Sequence, residues 1–214
     1  MQAPFGRIFD DPILVDKIKA TLPKLFFLAE QDASRAGKVG MEIGSVRERI
    51  LIALMMTKFG AENVKVDIPI TETEIDVLVY NHPISIKTIS GAKIGGVKAV
   101  WTVDAQKARE FVANYKPKYD MLMVQVNWGG PGVFAYIPLK VQEEVFSAFG
   151  RDKYFLLPKQ GTNPRGVEIS RDAMLRLSLH SDTKKIVISW IRPTEKYKPI
   201  PEMVGLLVRE LTQL

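Results

Sequence analysis

Residues 70–88 read ITETEIDVLVYNHPISIKT, and they predict the centre of the fold. Two runs rich in β-branched residues flank an Asn-His-Pro turn at 81–83, a pattern that predicts an antiparallel hairpin. A turn centred between the Asn and the His places Asp76 opposite Lys87. Because directly paired residues share one face of a sheet, a carboxylate and an ammonium are expected to project together from a hairpin that is otherwise apolar.

Helices and further strands are predicted on both sides of the hairpin. A Pro directly after Asp11 marks the start of a first helix, which Pro23 is expected to kink or end. Apolar residues at helical spacing predict a helix over 45–59. Beyond the hairpin, a helix over 102–115 precedes strands around a Gly-Gly-Pro-Gly turn. The expected fold class is therefore α/β, with a mixed central β-sheet flanked by helices.

Composition excludes several classes of protein. The chain has 214 residues, no cysteine and two histidines, which excludes disulfide scaffolds, zinc fingers, thiol catalysis and multi-histidine metal centres. His82 is expected on the surface of the hairpin turn. No stretch is apolar for long enough to cross a membrane, so a cytoplasmic protein without a membrane partner is expected. The length, together with the lack of a linker or repeat, predicts one domain over residues 1–214.

The net charge of +6 is unevenly distributed along the chain. Residues 1–88 carry 11 basic and 12 acidic side chains and so a net charge of −1, whereas residues 89–214 carry 19 basic and 12 acidic side chains and so +7. Such an asymmetry suits a polyanionic partner, with nucleic acid ahead of an anionic membrane. The alternative is a basic surface that is simply solvated.

The predicted Asp76–Lys87 pair has two interpretations. One is a cross-strand ion pair, which contributes under about 1 kcal/mol when it is exposed. The other is the centre of a metal-dependent phosphodiesterase. In such an enzyme the Asp binds a hard divalent cation, while the Lys orients or deprotonates the attacking water and offsets charge on the phosphate.

Glu48, on the helix that precedes the hairpin, is the candidate for a second carboxylate, because a magnesium site needs more than one. Its alternative role is structural. Ser45-Val46-Arg47-Glu48 matches a capping box, in which the Glu carboxylate accepts a backbone N–H at the start of the helix. Spacing alone leaves both roles open. Glu74, predicted on the same strand and face as Asp76, is the reserve ligand if Glu48 is only a cap.

The helix Glu, the hairpin Asp and the strand ending in Ser85-Ile86-Lys87 resemble the PD-(D/E)XK nuclease superfamily. More specifically, the chain resembles type II restriction endonucleases of the ThaI kind, which cut CG/CG. The likeness rests on MEIGSVRERILIALMMTKFG at 41–60 and on the stretch at 70–88, and in element order it extends through most of the chain. It implies a restriction-endonuclease-like core.

Carried over by position, the resemblance implies Asp76 as the central metal-binding carboxylate, Lys87 as the catalytic lysine and Glu48 as the accessory carboxylate. One departure concerns Ser85, which stands where the family normally has Asp or Glu, and no Pro precedes the Asp. Ser is a poor ligand for Mg²⁺. The expectation is therefore one Mg²⁺ held by the two carboxylates, the Ile86 carbonyl, waters and the scissile phosphate.

The resemblance further implies a symmetric homodimer that hydrolyses double-stranded DNA at a short palindrome, CGCG, by attack of a metal- and lysine-activated water. Two alternatives stay open. One is a structure-specific nuclease on the same scaffold, such as a Holliday-junction resolvase. The other is a non-catalytic DNA-binding module in which Asp76 and Lys87 have only a structural role.

Four residues are predicted to contact DNA. Lys93 and Lys98 lie in a glycine-rich loop after the hairpin and suit phosphate contacts, the alternative being a mobile surface loop. Arg165 is the candidate for reading a guanine in the major groove. Met41, in the loop before Glu48, is the candidate for an apolar wedge that enters a base step from the minor groove. Its alternative role is to fill the core beneath that loop.

Overall fold

The computed structural model describes residues 5–35, 41–69, 72, 74–157 and 166–194. The helices in this part are α1 Gly6–Phe9, α2 Pro12–Arg35, α3 Met41–Phe59, α4 Ala105–Asn114, α5 Leu139–Phe149, α6 Arg151–Tyr154 and α7 Arg171–Leu179. The strands are β1 Val64–Lys65, β2 Val77–Val79, β3 His82–Ser90, β4 Val97–Val100, β5 Asp120–Val126, β6 Pro131–Ile137, β7 Phe155–Leu156, β8 Val167–Ile169 and β9 Lys184–Ser189.

The strands form two sheets. The larger has the order β1-β2-β3-β5-β6-β9, and the smaller has the order β4-β8-β7. In the larger sheet β3 and β5 are parallel, and the other neighbours are antiparallel. A parallel pair needs a crossover connection, and here the segment with β4 and α4 makes it. The predicted α/β fold with a mixed central sheet is therefore confirmed.

Both faces of the larger sheet are buried. On one face Ile84 and Ile86 of β3 belong to a core that includes residues of α2 and α3, among them Leu22, Leu51 and Met55. The other face packs against α4, α5 and α7 in a second core. Side chains alternate along a strand, so Ser85 and Lys87 point away from the α2–α3 core and toward the second face.

The predicted hairpin is confirmed, but its register differs from the expectation. Val79 pairs with His82, so the turn consists of Tyr80 and Asn81 alone. Both have positive φ, 50° and 62°, as a two-residue type I′ turn requires. The turn is therefore centred one position earlier than predicted, which shifts the pairing by two residues.

The predicted direct pairing of Asp76 with Lys87 is consequently wrong. In the observed register Ile84 is the partner of Val77, and the backbone N–H of Asp76, just before the paired residues, also donates to the carbonyl of Ile84 at 3.0 Å. Lys87 is then a diagonal neighbour on the same side. A slip of one residue would have moved one partner to the opposite face, whereas a slip of two does not.

The first helix also differs from its prediction. The Asp11 cap is confirmed, since its Oδ1 accepts the N–H of Leu14 at 3.1 Å. The helix end that was one expectation at Pro23 is wrong, because α2 continues through it as one helix of 24 residues, and the kink that was the other stays a prediction. Pro23 and its neighbour Leu22 are buried, and this packing offsets the backbone hydrogen bond that a proline cannot make.

The predicted guanine-reading residue Arg165 lies outside the described residues. None of the helices in the described part is long and apolar enough to cross a membrane.

Candidate active site

Asp76 lies just before β2, and short hydrogen bonds fix its carboxylate against β3. Its Oδ2 accepts the backbone N–H of Ile86 at 2.5 Å and the hydroxyl of Ser85 at 3.3 Å. Within the described part of the chain nothing donates a hydrogen bond to Oδ1. The carboxylate is therefore held firmly on one oxygen, while the second keeps its lone pairs for another group.

Lys87 extends from β3 toward the same carboxylate. Its Nζ is 3.9 Å from Oδ2 of Asp76, and the two side chains are 17% and 20% exposed. This separation is too long for a hydrogen bond but short enough for a strong electrostatic attraction. The ammonium therefore stays beside Asp76 with its N–H donors free to bind a water or a phosphate oxygen.

Glu48 reaches this place from α3, which packs against β2 and β3. Burial is the largest cause that raises the pKa of Glu48 to about 6, and the negative charge of Asp76 raises it further. The positive charges of Lys87 and then Arg49 act in the opposite direction. These couplings place all three predicted catalytic side chains in one electrostatic environment.

The start of α3 decides between the two roles left open for Glu48. The helix begins at Met41, so Ser45 lies inside it rather than at its N-cap. A capping box needs the Ser to be the residue before the first helical turn, and that interpretation is therefore wrong. Among the described residues nothing donates a hydrogen bond to the Glu48 carboxylate, which leaves it available to a cation.

The oxygen donors at this place fit a hard divalent cation. Within a strand the N–H and C=O of one residue point to the same edge, so the Ile86 carbonyl is directed toward the side on which Asp76 lies. No group of three or more Asp, Glu, His and Cys side chains converges within the described ranges. Two carboxylates from the protein suffice for Mg²⁺, which fills its other positions with water and substrate phosphate.

Glu74 does not share a strand with Asp76, contrary to prediction. It lies in a turn before β2, where it lines a cavity together with Lys87, Tyr115 and Lys118. Burial raises the pKa of Glu74, whereas the charges of Lys118 and Lys87 lower it. Asp76 does not line this cavity, so Glu74 faces the lysine from another side.

The residues predicted to bind DNA are spread over several elements. Lys93 is exposed in the loop after β3. Lys98 lies on β4, where its Nζ is 3.0 Å from Oε2 of Glu168 and 5.9 Å from the ring centre of Trp101. Met41 begins α3, two helical turns before Glu48, although its side chain lies outside the described part.

Sequence reasoning missed two polar clusters. His82 is 40% exposed directly after the turn, as expected, but its Nε2 also lies 2.7 Å from Oδ2 of the buried Asp120. Arg47, the neighbour of Glu48, is buried and paired with Glu30 of α2. The available signal for Asp120 was a charged residue at the head of a strand that is otherwise apolar.

Comparison with known proteins gives a consistent result. The family model described as restriction endonuclease ThaI matches residues 8–208. A solved structure of a restriction endonuclease in complex with substrate DNA is 48% identical, with a TM-score of 0.87, and the match covers 96% of this chain and 99% of that one. No curated protein matches the chain.

Proposed function

The chain belongs to the ThaI family of restriction endonucleases, and from this membership we propose a homodimeric, Mg²⁺-dependent enzyme that hydrolyses double-stranded DNA at CGCG. The observation that carries the proposal is the 3.9 Å separation between Lys87 Nζ and Asp76 Oδ2 beside β3, together with the effect of both charges on the pKa of Glu48. A relative that is 48% identical binds substrate DNA, which supports DNA as the substrate here. The enzyme would act in the cytoplasm, with catalysis and DNA binding in one domain over 1–214.

Asp76, Glu48 and the carbonyl of Ile86 would hold the cation. When bound, Mg²⁺ offsets the negative charge of the scissile phosphate and makes a nearby water more acidic. The N–H of Ile86 and the hydroxyl of Ser85 keep the Asp76 carboxylate in a single orientation. Burial raises the pKa of Glu48 and the negative charge of Asp76 raises it further, so a positive ion between the two carboxylates would be stabilised.

Lys87 would act on the attacking water and on the phosphate. Its ammonium donates hydrogen bonds that orient the water for in-line attack on phosphorus, and its charge stabilises the extra negative charge that develops on the phosphate oxygens. The attraction of Asp76 at 3.9 Å holds the ammonium within the site. The products are a 5′-phosphate and a 3′-hydroxyl.

Symmetry connects the palindromic site to the proposed dimer. A palindrome has a twofold axis, and a protein dimer with the same axis presents one active site to each strand. The net charge of +7 over residues 89–214 suits neutralisation of the backbone phosphates. Lys93, Lys98 and Arg165 are the proposed contacts in this basic part.

Plasmid cleavage tests the enzyme and its site together. The assay compares the wild type with Asp76→Ala and Lys87→Ala, with and without Mg²⁺. Lys140→Ala is the matched control, because Lys140 is 74% exposed on α5 and pairs only with nearby Glu144 in the described part. Discrete fragments ending in CG/CG are expected from the wild type and the control with Mg²⁺, and a loss of at least about 1000-fold from the other two variants.

Two outcomes would contradict this proposal. A wild type that cuts no DNA with any divalent ion would remove the enzymatic function. Full activity of both Asp76→Ala and Lys87→Ala would place the active site elsewhere in the chain.

Met41 is the proposed wedge at a CpG step. Replacement of Met41 by Ala should cripple binding to a CGCG duplex in a fluorescence anisotropy titration and leave thermal stability nearly unchanged. A large loss of stability with normal binding would instead identify Met41 as a core residue.

A further inference from the structure

A buried ion pair lies directly beside Glu48 and joins three elements. Nη2 of Arg47 on α3 donates to Oε1 of Glu30 on α2 at 2.5 Å, and its Nη1 donates to Oγ of Ser90 at the end of β3 at 2.8 Å. The Arg47 and Glu30 side chains are only 6% and 14% exposed. Removing two charges from water costs several kcal/mol unless good hydrogen bonds compensate, so stability alone does not explain this pair.

Further donors converge on the Glu30 carboxylate. Nε1 of Trp128, in the turn between β5 and β6, donates to Oε1 at 2.8 Å, and Arg192, just after β9, approaches Oε2 at 3.4 Å. The Arg192 guanidinium also lies 4.8 Å from the centre of the Trp128 ring. The ion pair is therefore anchored to several segments of the larger sheet, and it cannot shift without moving all of them.

The position of Arg47 links the two elements that carry the catalytic residues. It precedes Glu48 on α3, and its partner Ser90 follows Lys87 by three residues on β3. A guanidinium is planar and rigid, so two bonds in different directions fix both the distance and the orientation of the groups they join. An apolar side chain at the same place would allow α3 to slide along the sheet.

We propose that Arg47 is a positioning residue that holds the first half of α3 against the end of β3 and thereby sets Glu48 beside Asp76 and Lys87. The inference rests on the proposed metal-dependent cleavage. Arg47 itself does not contact the reacting groups and acts through Glu48. Supporting groups of this kind typically change metal affinity or activity by 10- to 100-fold when they are lost.

The test measures the Mg²⁺ requirement and the stability of the same variants. Single-turnover cleavage of a CGCG duplex is followed over a range of Mg²⁺ concentrations for the wild type, Arg47→Met and Ser90→Ala, and each protein is also unfolded thermally. Arg47→Met is expected to raise the Mg²⁺ concentration for half-maximal rate by at least about tenfold. Ser90→Ala removes one of the bonds and is expected to shift it in the same direction by less.

Tyr136→Phe serves as the matched control, because it removes a hydrogen bond from a buried cluster around Asp120 that lies at the opposite end of β3. It should lower the melting temperature and leave the Mg²⁺ requirement unchanged. Arg47→Lys keeps the positive charge but not the planar group of donors. Its Mg²⁺ concentration for half-maximal rate should therefore lie between those of the wild type and Arg47→Met.

Each outcome separates this inference from the proposed function. A wild type that shows no Mg²⁺-dependent cleavage removes the function. A wild type that cleaves, with an unchanged Mg²⁺ requirement in both Ser90→Ala and Arg47→Lys, overturns only the positioning role. These two variants also decide the matter if Arg47→Met fails to fold.

Discussion

Two carboxylate sites lie along β3 and differ in the hydrogen bonds that their oxygens accept. Where β3 and β5 begin, Asp120 is 5% exposed, and protein donors fill both of its oxygens. Tyr136 and His82 approach Oδ2 at 2.6 and 2.7 Å, and the N–H of Leu139 donates to Oδ1 at 2.6 Å. Farther along the strand, the described residues place donors on one oxygen of Asp76 only, and Glu48 repels it.

This difference separates a structural carboxylate from a functional pair. A buried carboxylate with donors on both of its oxygens is stabilised where it lies and is less available to a ligand. Two partly desolvated carboxylates with too few donors cost folding free energy, and a cation relieves that cost. The same chemical group therefore stabilises the fold at one point of β3 and is the proposed ligand of the catalytic cation at another.

The largest expected effect is on catalysis. Asp76→Asn keeps the size of the side chain but removes its charge, so it should slow single-turnover cleavage by at least about 1000-fold, which is equivalent to about 4 kcal/mol. Its stability should equal or exceed that of the wild type, because the repulsion with Glu48 disappears. Asp120→Asn is the control and should still cleave well below its melting temperature. A variant Asp76→Asn that cleaves normally would contradict the distinction between the two sites.

The next largest effect is on stability. Asp120→Ala leaves Tyr136, His82 and the N–H of Leu139 without their acceptor, so the free energy of unfolding should fall by about 3 kcal/mol. Urea denaturation followed by circular dichroism measures the loss. Asp76→Ala, treated identically, should lower the value by less, because the loss of the acceptor for Ile86 and Ser85 is partly offset by relief of the repulsion with Glu48. Equal losses in the two variants would mean that the sites do not differ in their structural role.

A smaller effect depends on pH. The pKa of Glu48 is raised from 4.5 to about 6, so between these values the folded protein binds more protons than the unfolded chain. Stability contributed by this group is therefore present below about pH 4.5 and is lost as the pH rises through 6. The shift corresponds to about 2 kcal/mol at most, and since solvent still reaches Glu48 we expect about 1 kcal/mol.

Glu48→Gln tests this expectation. Without divalent ions the variant should be about 1 kcal/mol more stable than the wild type at pH 8, and the two should be equal at pH 4. Urea denaturation at both pH values measures the difference. Added Mg²⁺ should stabilise the wild type more than the variant. A variant that is less stable than the wild type at pH 8 would show that Glu48 has a structural role after all.

Local signals in the sequence were enough for many elements of the fold. The cap at Asp104 accepts the N–H groups of Gln106 and Lys107, as expected for a helix start near that residue. The register of the hairpin was predicted wrongly because Tyr80 adopts a positive φ. This conformation is uncommon for tyrosine, so the sequence does not indicate it. The continuous α2 was missed because packing around Pro23 outweighs its intrinsic effect on a helix.

The site was partly predictable for a related reason. Asp76 and Lys87 come from neighbouring segments of the hairpin. A register error of an even number of residues leaves both on the same face of the sheet, so their proximity was predicted although their pairing was not. The role of Glu48 depended on the residue at which α3 begins. The glycines near that point indicated a loop and therefore a later helix start than the observed one. The pairs of Arg47 with Glu30 and of His82 with Asp120 join residues 17 and 38 positions apart on different elements. No local spacing encodes such contacts.

The smallest expected effect concerns Ser85, which stands where the family normally has Asp or Glu. Its hydroxyl donates to Asp76 across 3.3 Å, whereas the N–H of Ile86 donates to the same oxygen across 2.5 Å. The shorter bond holds the carboxylate without help, so Ser85→Ala should slow cleavage by less than about threefold, which is about 0.6 kcal/mol. Single-turnover cleavage at saturating Mg²⁺ measures the change, with Thr88→Ala as a control farther along β3. A loss of activity above a hundredfold would mean that the hydroxyl binds the cation or the attacking water. The contrast between Asp76 and Asp120 would then have to include Ser85 as part of the functional site.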